Sequence, residues 1–168
     1  MARSSTKWRA AEGPDAGMAP LLVIGYGNEL RSDDGVGARV AAAIAEMQLP
    51  GVHAIACHQL TPELAEPIAS ARTVVFVDAA RDPINDVQVR IIEPSATVPV
   101  SAHAGSPEAL LALARELFAH CPLAWMICVP AVVFDFGGHL SPQAQRGLAS
   151  AIEEIRKLHH AFTPARNK

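Results

Sequence analysis

Gly25-Tyr26-Gly27-Asn28-Glu29-Leu30-Arg31-Ser32-Asp33-Asp34-Gly35-Val36-Gly37 joins two patterned segments of the chain. Before it lies the apolar run Leu21-Leu22-Val23-Ile24; after it, over residues 36–47, Val36, Val40, Ala43, Ile44 and Met47 recur at helical spacing. Apolar run, glycine-rich turn and amphipathic run spell strand, turn and helix. Turns of this kind commonly receive a phosphate at the helix N-terminus. Here Asp33 and Asp34 stand where a phosphate would approach, and two carboxylates repel an anion but attract a metal ion or polarise a water. Asp33 is the expected N-cap of the first helix, 34–47, a position where a carboxylate gains ~0.3–1 kcal/mol from the helix dipole. That role does not call for Asp34 as well, nor for glycines on both sides, so Asp34 is a candidate functional residue. The dinucleotide fingerprint G-x-G-x-x-G also fails, because its sixth position is Leu30 and the glycine that lets a helix pack close to its strand is missing.

Three more helices announce themselves alike. Thr61-Pro62-Glu63, Ser106-Pro107-Glu108 and Ser141-Pro142-Gln143 each put a hydroxyl at the N-cap and a proline at the first helical position. They are expected to run to about Ser70, His120 and His159. Their inward residues are expected to be Leu64 and Ile68, then Leu110, Leu113, Ala114 and Leu117, then Leu148, Ile152 and Ile155. Strands are expected at 53–57, 73–77 and 125–129, and Val87, Val89 and Ile91 alternate with polar residues as in a half-exposed edge strand. The alternation predicts an α/β fold: a three-layer α/β/α sandwich whose five-stranded sheet is mostly parallel, with one antiparallel edge strand. Ligands of such sheets bind beyond the carboxyl ends of the strands. Asp33 and Asp34 follow the first strand, Asp78 ends the third, and His103 lies in the loop before the third helix; these groups are expected to converge on one rim. His58, just before Thr61, occupies a similar place, and spacing does not choose between the two histidines.

The 168 residues suit one domain at 19–160, between an N-terminal tail at 1–18, expected to be disordered, and a flexible tail at 161–168. The first tail has no apolar core of the signal-peptide kind, and Met18 is the expected natural start. A net charge of −3 without a basic run argues against nucleic acid and anionic membrane as partners. The longest apolar stretch, 123–134, contains Pro130 and is too short to span a bilayer. Cys57, Cys121 and Cys128 show no C-x-x-C spacing, which fits small buried side chains in a reducing cytoplasm rather than a disulfide framework or a zinc cluster. Among the seven histidines, His159-His160 reads as a solvated helix end. The zincin motif H-E-x-x-H and the hydrolase elbow G-x-S-x-G are both missing.

Gly25-x-Gly27-Asn28-x-Leu30-x-x-Asp33-Asp34-Gly35-x-Gly37 resembles the opening signature of nickel–iron hydrogenase maturation endopeptidases. The similarity continues in Val75-Phe76-Val77-Asp78-Ala79, in Ser101-Ala102-His103 and in Leu140-Ser141-Pro142. The resemblance implies a single α/β/α domain that removes the C-terminal extension from the precursor of a hydrogenase large subunit once nickel has been inserted. Nickel would then arrive with the precursor, with none firmly bound by the isolated protein. The resemblance also implies that Asp34, Asp78 and His103 contact the nickel, with Asp34 in a position that other members fill with Asp or Glu. The stretch His58-Gln59-Leu60-Thr61-Pro62-Glu63 stands where other members carry a glycine-rich loop, a departure that bears on precursor selection. Two carboxylates and an imidazole suit a borderline divalent metal. Hydrolysis could run with the metal positioning the extension, or with Asp34 and Asp78 as a water-activating acidic pair. Two rival readings use the same chain otherwise: a nickel-precursor chaperone that docks without cutting, and a nucleotide-dependent enzyme.

Overall fold

The apolar run at 21–24 is the middle of a strand, β1 (Ala19–Tyr26), in a computed structural model that describes residues 19–96 and 105–162. The other strands are β2 (Val52–Cys57), β3 (Ala71–Ala80), β4 (Gln88–Ile92) and β5 (Leu123–Pro130). They form one five-stranded sheet in the order β2-β1-β3-β5-β4, parallel except for β4, which lies antiparallel on β5 at the edge. The helices are α1 (Val36–Glu46), α2 (Ala65–Ala69), α3 (Pro107–Phe118) and α4 (Pro142–Phe162).

Both faces of the sheet are covered, which is why its central strands read as unbroken apolar runs rather than as alternations. Leu21, Val23, Val75, Val77, Ile127 and Val129 face Val36, Val40 and Ile44 of α1 and Ala144, Ala151 and Ile155 of α4. Leu22, Ile24, Val74, Phe76 and Met126 face Leu64 and Ile68, around α2, and Leu110 and Leu111 of α3. Each fully buried Leu, Ile, Val or Phe here contributes about 1.5–3 kcal/mol by leaving water. The three-layer sandwich with one antiparallel edge strand is therefore as the sequence predicts.

Several local expectations are corrected. Met47 and Leu117, expected inward, are 43% and 62% exposed: both lie at helix ends, where no second layer covers the apolar stripe. Thr61 makes no side-chain cap, and the segment after it begins as a 3-10 turn, Pro62–Leu64, before the short α2. Ser106 does cap α3, accepting the Ala109 N–H at 3.2 Å. His159 is not solvated: it continues the face of Ile155 at a spacing of four, is buried, and its Nε2 lies 2.9 Å from the Pro50 carbonyl. The three cysteines are only partly buried, free, and held as thiols by that burial, which pushes each upward from its ordinary value. The C-terminal tail expected from 161 begins later, because α4 runs on to Phe162; the tail expected at 1–18, residues 163–168 and His103 lie outside the described residues.

Candidate active site

After Tyr26 the chain reverses at Gly27, whose φ of +136° is one that side-chain-bearing residues rarely adopt. A 3-10 turn, Ser32–Gly35, then feeds α1. The close-packing glycine that the fingerprint lacks is present further on, as Gly37. A Cβ at Gly37 would strike the backbone carbonyls of Val77 and Tyr26, so α1 lies directly against the ends of β1 and β3. The acidic turn is thereby held at the carboxyl rim of the sheet.

Asp33 does not cap α1, whose N-cap is Gly35 without a side-chain bond. Its carboxylate turns inward, is fully buried, and accepts the N–H groups of Val132 (2.9 Å), Val133 (3.0 Å) and Ser141 (2.7 Å) and the Ser141 hydroxyl (2.7 Å). Burial alone would raise its pKa; these four bonds outweigh burial and hold it below the ordinary carboxylate value. Ser141 Oγ in turn accepts the Ala144 N–H at 3.2 Å at the start of α4. Asp33 thus ties the loop after β5, and the α4 N-terminus, to the acidic turn.

Asp34 points the other way. Its Oδ2 accepts the Asn28 N–H at 3.0 Å, and Asn28 Oδ1 accepts the Leu30 N–H at 2.9 Å. The protein's own carboxylate occupies a donor that a bound phosphate would need, which opposes the nucleotide reading. Arg81 Nη2 comes within 3.7 Å of Asp34 Oδ1, but the Arg81 side chain is 83% exposed, so the pair contributes at most about 1 kcal/mol.

Asp78 stands at the matching height on β3. The β1–β3 ladder runs to Gly25 opposite Val77, so Tyr26 and Asp78 follow side by side. The Asp78 Oδ1 accepts the Ala79 N–H at 2.8 Å, and the Tyr26 hydroxyl donates to the same carboxylate. Burial pushes the Asp78 carboxyl up to about 6; the bonds from Tyr26 and Ala79 oppose this, and the nearby Asp34 charge adds to it. Burial and the Asp78 charge hold the Tyr26 phenol far above its usual value, so it stays a neutral donor.

Asp34, Asp78, Tyr26, Gly27, His58 and Arg81 line one cavity of about 540 Å3. The structure thus brings together Asp34 and Asp78, and adds His58 at the wall. Gly105, two positions after His103 in the chain, lines the same cavity. Among the described residues, no three His, Cys, Asp or Glu side chains are grouped to hold a metal ion. Tyr26 and Arg81 went unnoticed in the sequence. The signal for Tyr26 was its place at a strand's carboxyl end, beside a strand ending in Asp78; Arg81 carried none.

The five-stranded α/β/α topology is shared with proteins of known structure. The solved structures that share it include the nickel–iron hydrogenase maturation protease HybD from Thermococcus kodakarensis, at 24% identity and a TM-score of 0.65, over 82% of this chain and 97% of that one. A hydrogenase maturation protease HycI from the same organism matches at 22% identity and 0.66, over 85% and 94% of the two chains. The hydrogenase maturating endopeptidase HybD from E. coli matches at 19% and 0.66, over 84% and 93%. No protein-family model and no curated protein sequence matches the chain. No helix among the described residues is long and apolar enough to cross a membrane.

Proposed function

We propose that this protein is an endopeptidase that removes the C-terminal extension from the nickel-loaded precursor of a nickel–iron hydrogenase large subunit. The observation that carries the reading is the convergence of Asp34 and Asp78, from two different strand ends, on one rim cavity in a fold shared with maturation peptidases. Nickel belongs to the substrate. Asp34, Asp78 and His103 supply the oxygen and nitrogen donors that would meet an ion which the precursor already grips, so docking is tight only when nickel is present. Asp78, with its pKa near 6, suits general acid–base work at neutral pH. It takes a proton as water adds to the scissile carbonyl and returns it to the departing amine. The Asp34 charge adds to the burial that raises the Asp78 carboxyl, and this favours the acidic-pair version of this step. The reading places the protein in the cytoplasm, with its precursor.

The test is incubation of the purified protein with nickel-loaded and nickel-free precursor, followed by intact mass measurement. Loss of the extension is expected from the nickel-loaded form only, and Asp34→Asn and Asp78→Asn should each abolish it. A stable complex with unchanged precursor mass would instead mark a chaperone. Near-normal processing by both variants would remove the carboxylates from the mechanism.

A further inference from the structure

One row of residues crosses the carboxyl rim of the sheet. Cys57 of β2 pairs with Tyr26 of β1, Tyr26 stands beside Asp78 of β3, and Asp78 pairs with Cys128 of β5. In-register neighbours on parallel strands send their side chains to the same face, about 4.8 Å apart. Tyr26, Cys57 and Cys128 accordingly all pack against the apolar cluster beneath α2 and α3. The Tyr26 ring is thus held by packing, while its hydroxyl donates to Asp78 and the side chain lines the rim cavity. With the ring fixed, the phenol oxygen keeps its place and the O–H bond alone is left free to turn. The other donors described along the cavity wall are engaged elsewhere or lie in water. The Gly27 N–H is given to the Cys57 carbonyl at 3.2 Å, and Thr61 is hydrogen-bonded to Glu63. Arg81 is mostly solvated and leans toward Asp34, and His58 and Gln59 are exposed.

From this geometry we infer that Tyr26 is a further catalytic residue, whose hydroxyl turns from Asp78 to the oxyanion formed when water adds to the scissile carbonyl; the inference rests on the peptidase reading above. Water addition moves negative charge from one acceptor to another. The water oxygen bonds to the carbonyl carbon, one water proton passes to Asp78, and the carbonyl π pair settles on its oxygen. Asp78 thereby loses its charge and weakens the bond it accepts from Tyr26, just as a charged acceptor forms nearby. The Tyr26 hydroxyl gives that oxygen a hydrogen bond and transfers no proton. On collapse the pair returns to the carbon, the C–N bond breaks, and the proton on Asp78 goes to the departing amine. Asp78 is then a carboxylate again, and the hydroxyl turns back to it. A donor already held in place by packing costs nothing to reorganise at the moment of reaction, which is what makes such a group effective.

The test removes one oxygen atom. Tyr26→Phe keeps the ring in its packing, and circular dichroism and thermal melting report whether the variant is folded. Nickel-loaded precursor is the probe, cleaved in single turnovers with the protein in excess and followed by intact mass. Varying the protein concentration separates the limiting rate from the half-saturating concentration. Tyr26→Phe should lower the limiting rate about 100-fold or more and leave the half-saturating concentration within about threefold. A role confined to holding Asp78 would act on the half-saturating concentration instead, because Asp78 is one of the donors that meet the nickel. Tyr26→Met, which fills the space without a donor, should be as slow as Tyr26→Phe, and it decides the matter if the Phe variant does not fold. A limiting rate within about threefold of the unaltered protein in a folded variant, or a loss carried by the half-saturating concentration alone, would overturn the oxyanion role and leave the peptidase reading standing. If the unaltered protein cleaves no nickel-loaded precursor, the peptidase reading fails and takes the role of Tyr26 with it.

Discussion

Asp78→Asn should make the protein more stable while ending its activity. The Asp78 carboxyl is pushed up from an ordinary 3.8 to about 6, with burial the largest cause. An acid whose folded-state pKa lies above its unfolded-state value costs stability once it ionises. The cost is nil below the unfolded value, grows as pH rises from about 4 to about 6, and is constant above about 7. A shift of roughly two units at about 1.4 kcal/mol each sets a ceiling of about 3 kcal/mol. The amide oxygen of Asn can still accept the Ala79 N–H, but its NH2 accepts nothing, so the Tyr26 hydroxyl that donates to the carboxylate must share the amide oxygen or turn to accept from the NH2. A net gain of about 1–2 kcal/mol near pH 8 is therefore expected. Urea unfolding of both proteins at about pH 5 and about pH 8 measures it, and the difference should be the larger at the higher pH. A variant no more stable than the unaltered protein at pH 8, or a difference that does not move with pH, would refute the account of Asp78 as a buried, destabilised carboxylate. Stability gained by neutralising a cavity carboxylate is the usual sign that a site is held against its own folding preference.

Asp33→Ala should cost about 3–5 kcal/mol, because three backbone N–H groups and a hydroxyl lose a buried acceptor and water reaches only the exposed Val132 and Val133 end of the loop; thermal melting should fall by roughly 10 °C. Since the Asp33 pKa is depressed in the fold, its contribution is complete above about pH 4 and is lost as pH falls further, so the variant should show a shallower acid limb in unfolding experiments. Gly37→Ala gains up to ~1 kcal/mol of helix propensity but drives a methyl into two backbone carbonyls, one of them 2.6 Å away. Packing should win, giving a net loss of about 2 kcal/mol or more in denaturant unfolding. Arg81→Gln should leave unfolding free energy within about 0.5 kcal/mol, as a 3.7 Å pair with so exposed a cation is worth little.

The layers of this fold are legible in the sequence because they rest on local patterns. Ser106-Pro107 opens α3 as its cap chemistry dictates, and the run 73–77 is buried on both faces because helices cover both. What stays hidden depends on contacts far along the chain. His159 was masked by a rule about helix ends, although its spacing of four from Ile155 placed it on the buried stripe; only the Pro50 carbonyl, 109 residues away, explains why a histidine sits there. Tyr26 gains its role from Asp78, and that neighbour is assigned by strand order rather than by any motif.

The paired aspartates show the limit most clearly. In a 3-10 turn, with about three residues per turn, consecutive side chains diverge by about 120°, so two neighbouring carboxylates cannot serve one place. Once Ser32–Gly35 folds as such a turn, Asp33 and Asp34 must face different surroundings. Capping rules consider only the next turn of helix and assign Asp33 to α1, whereas the donors that claim it are 99 to 108 residues away. The inward carboxylate fixes the turn against the loop after β5, and the outward one is thereby presented to the cavity at a height set by β1 and β3. Losing Asp33 should therefore damage processing through the position of Asp34. An Asp33→Asn protein that still folds should bind nickel-loaded precursor less tightly, even though its cavity keeps both Asp34 and Asp78.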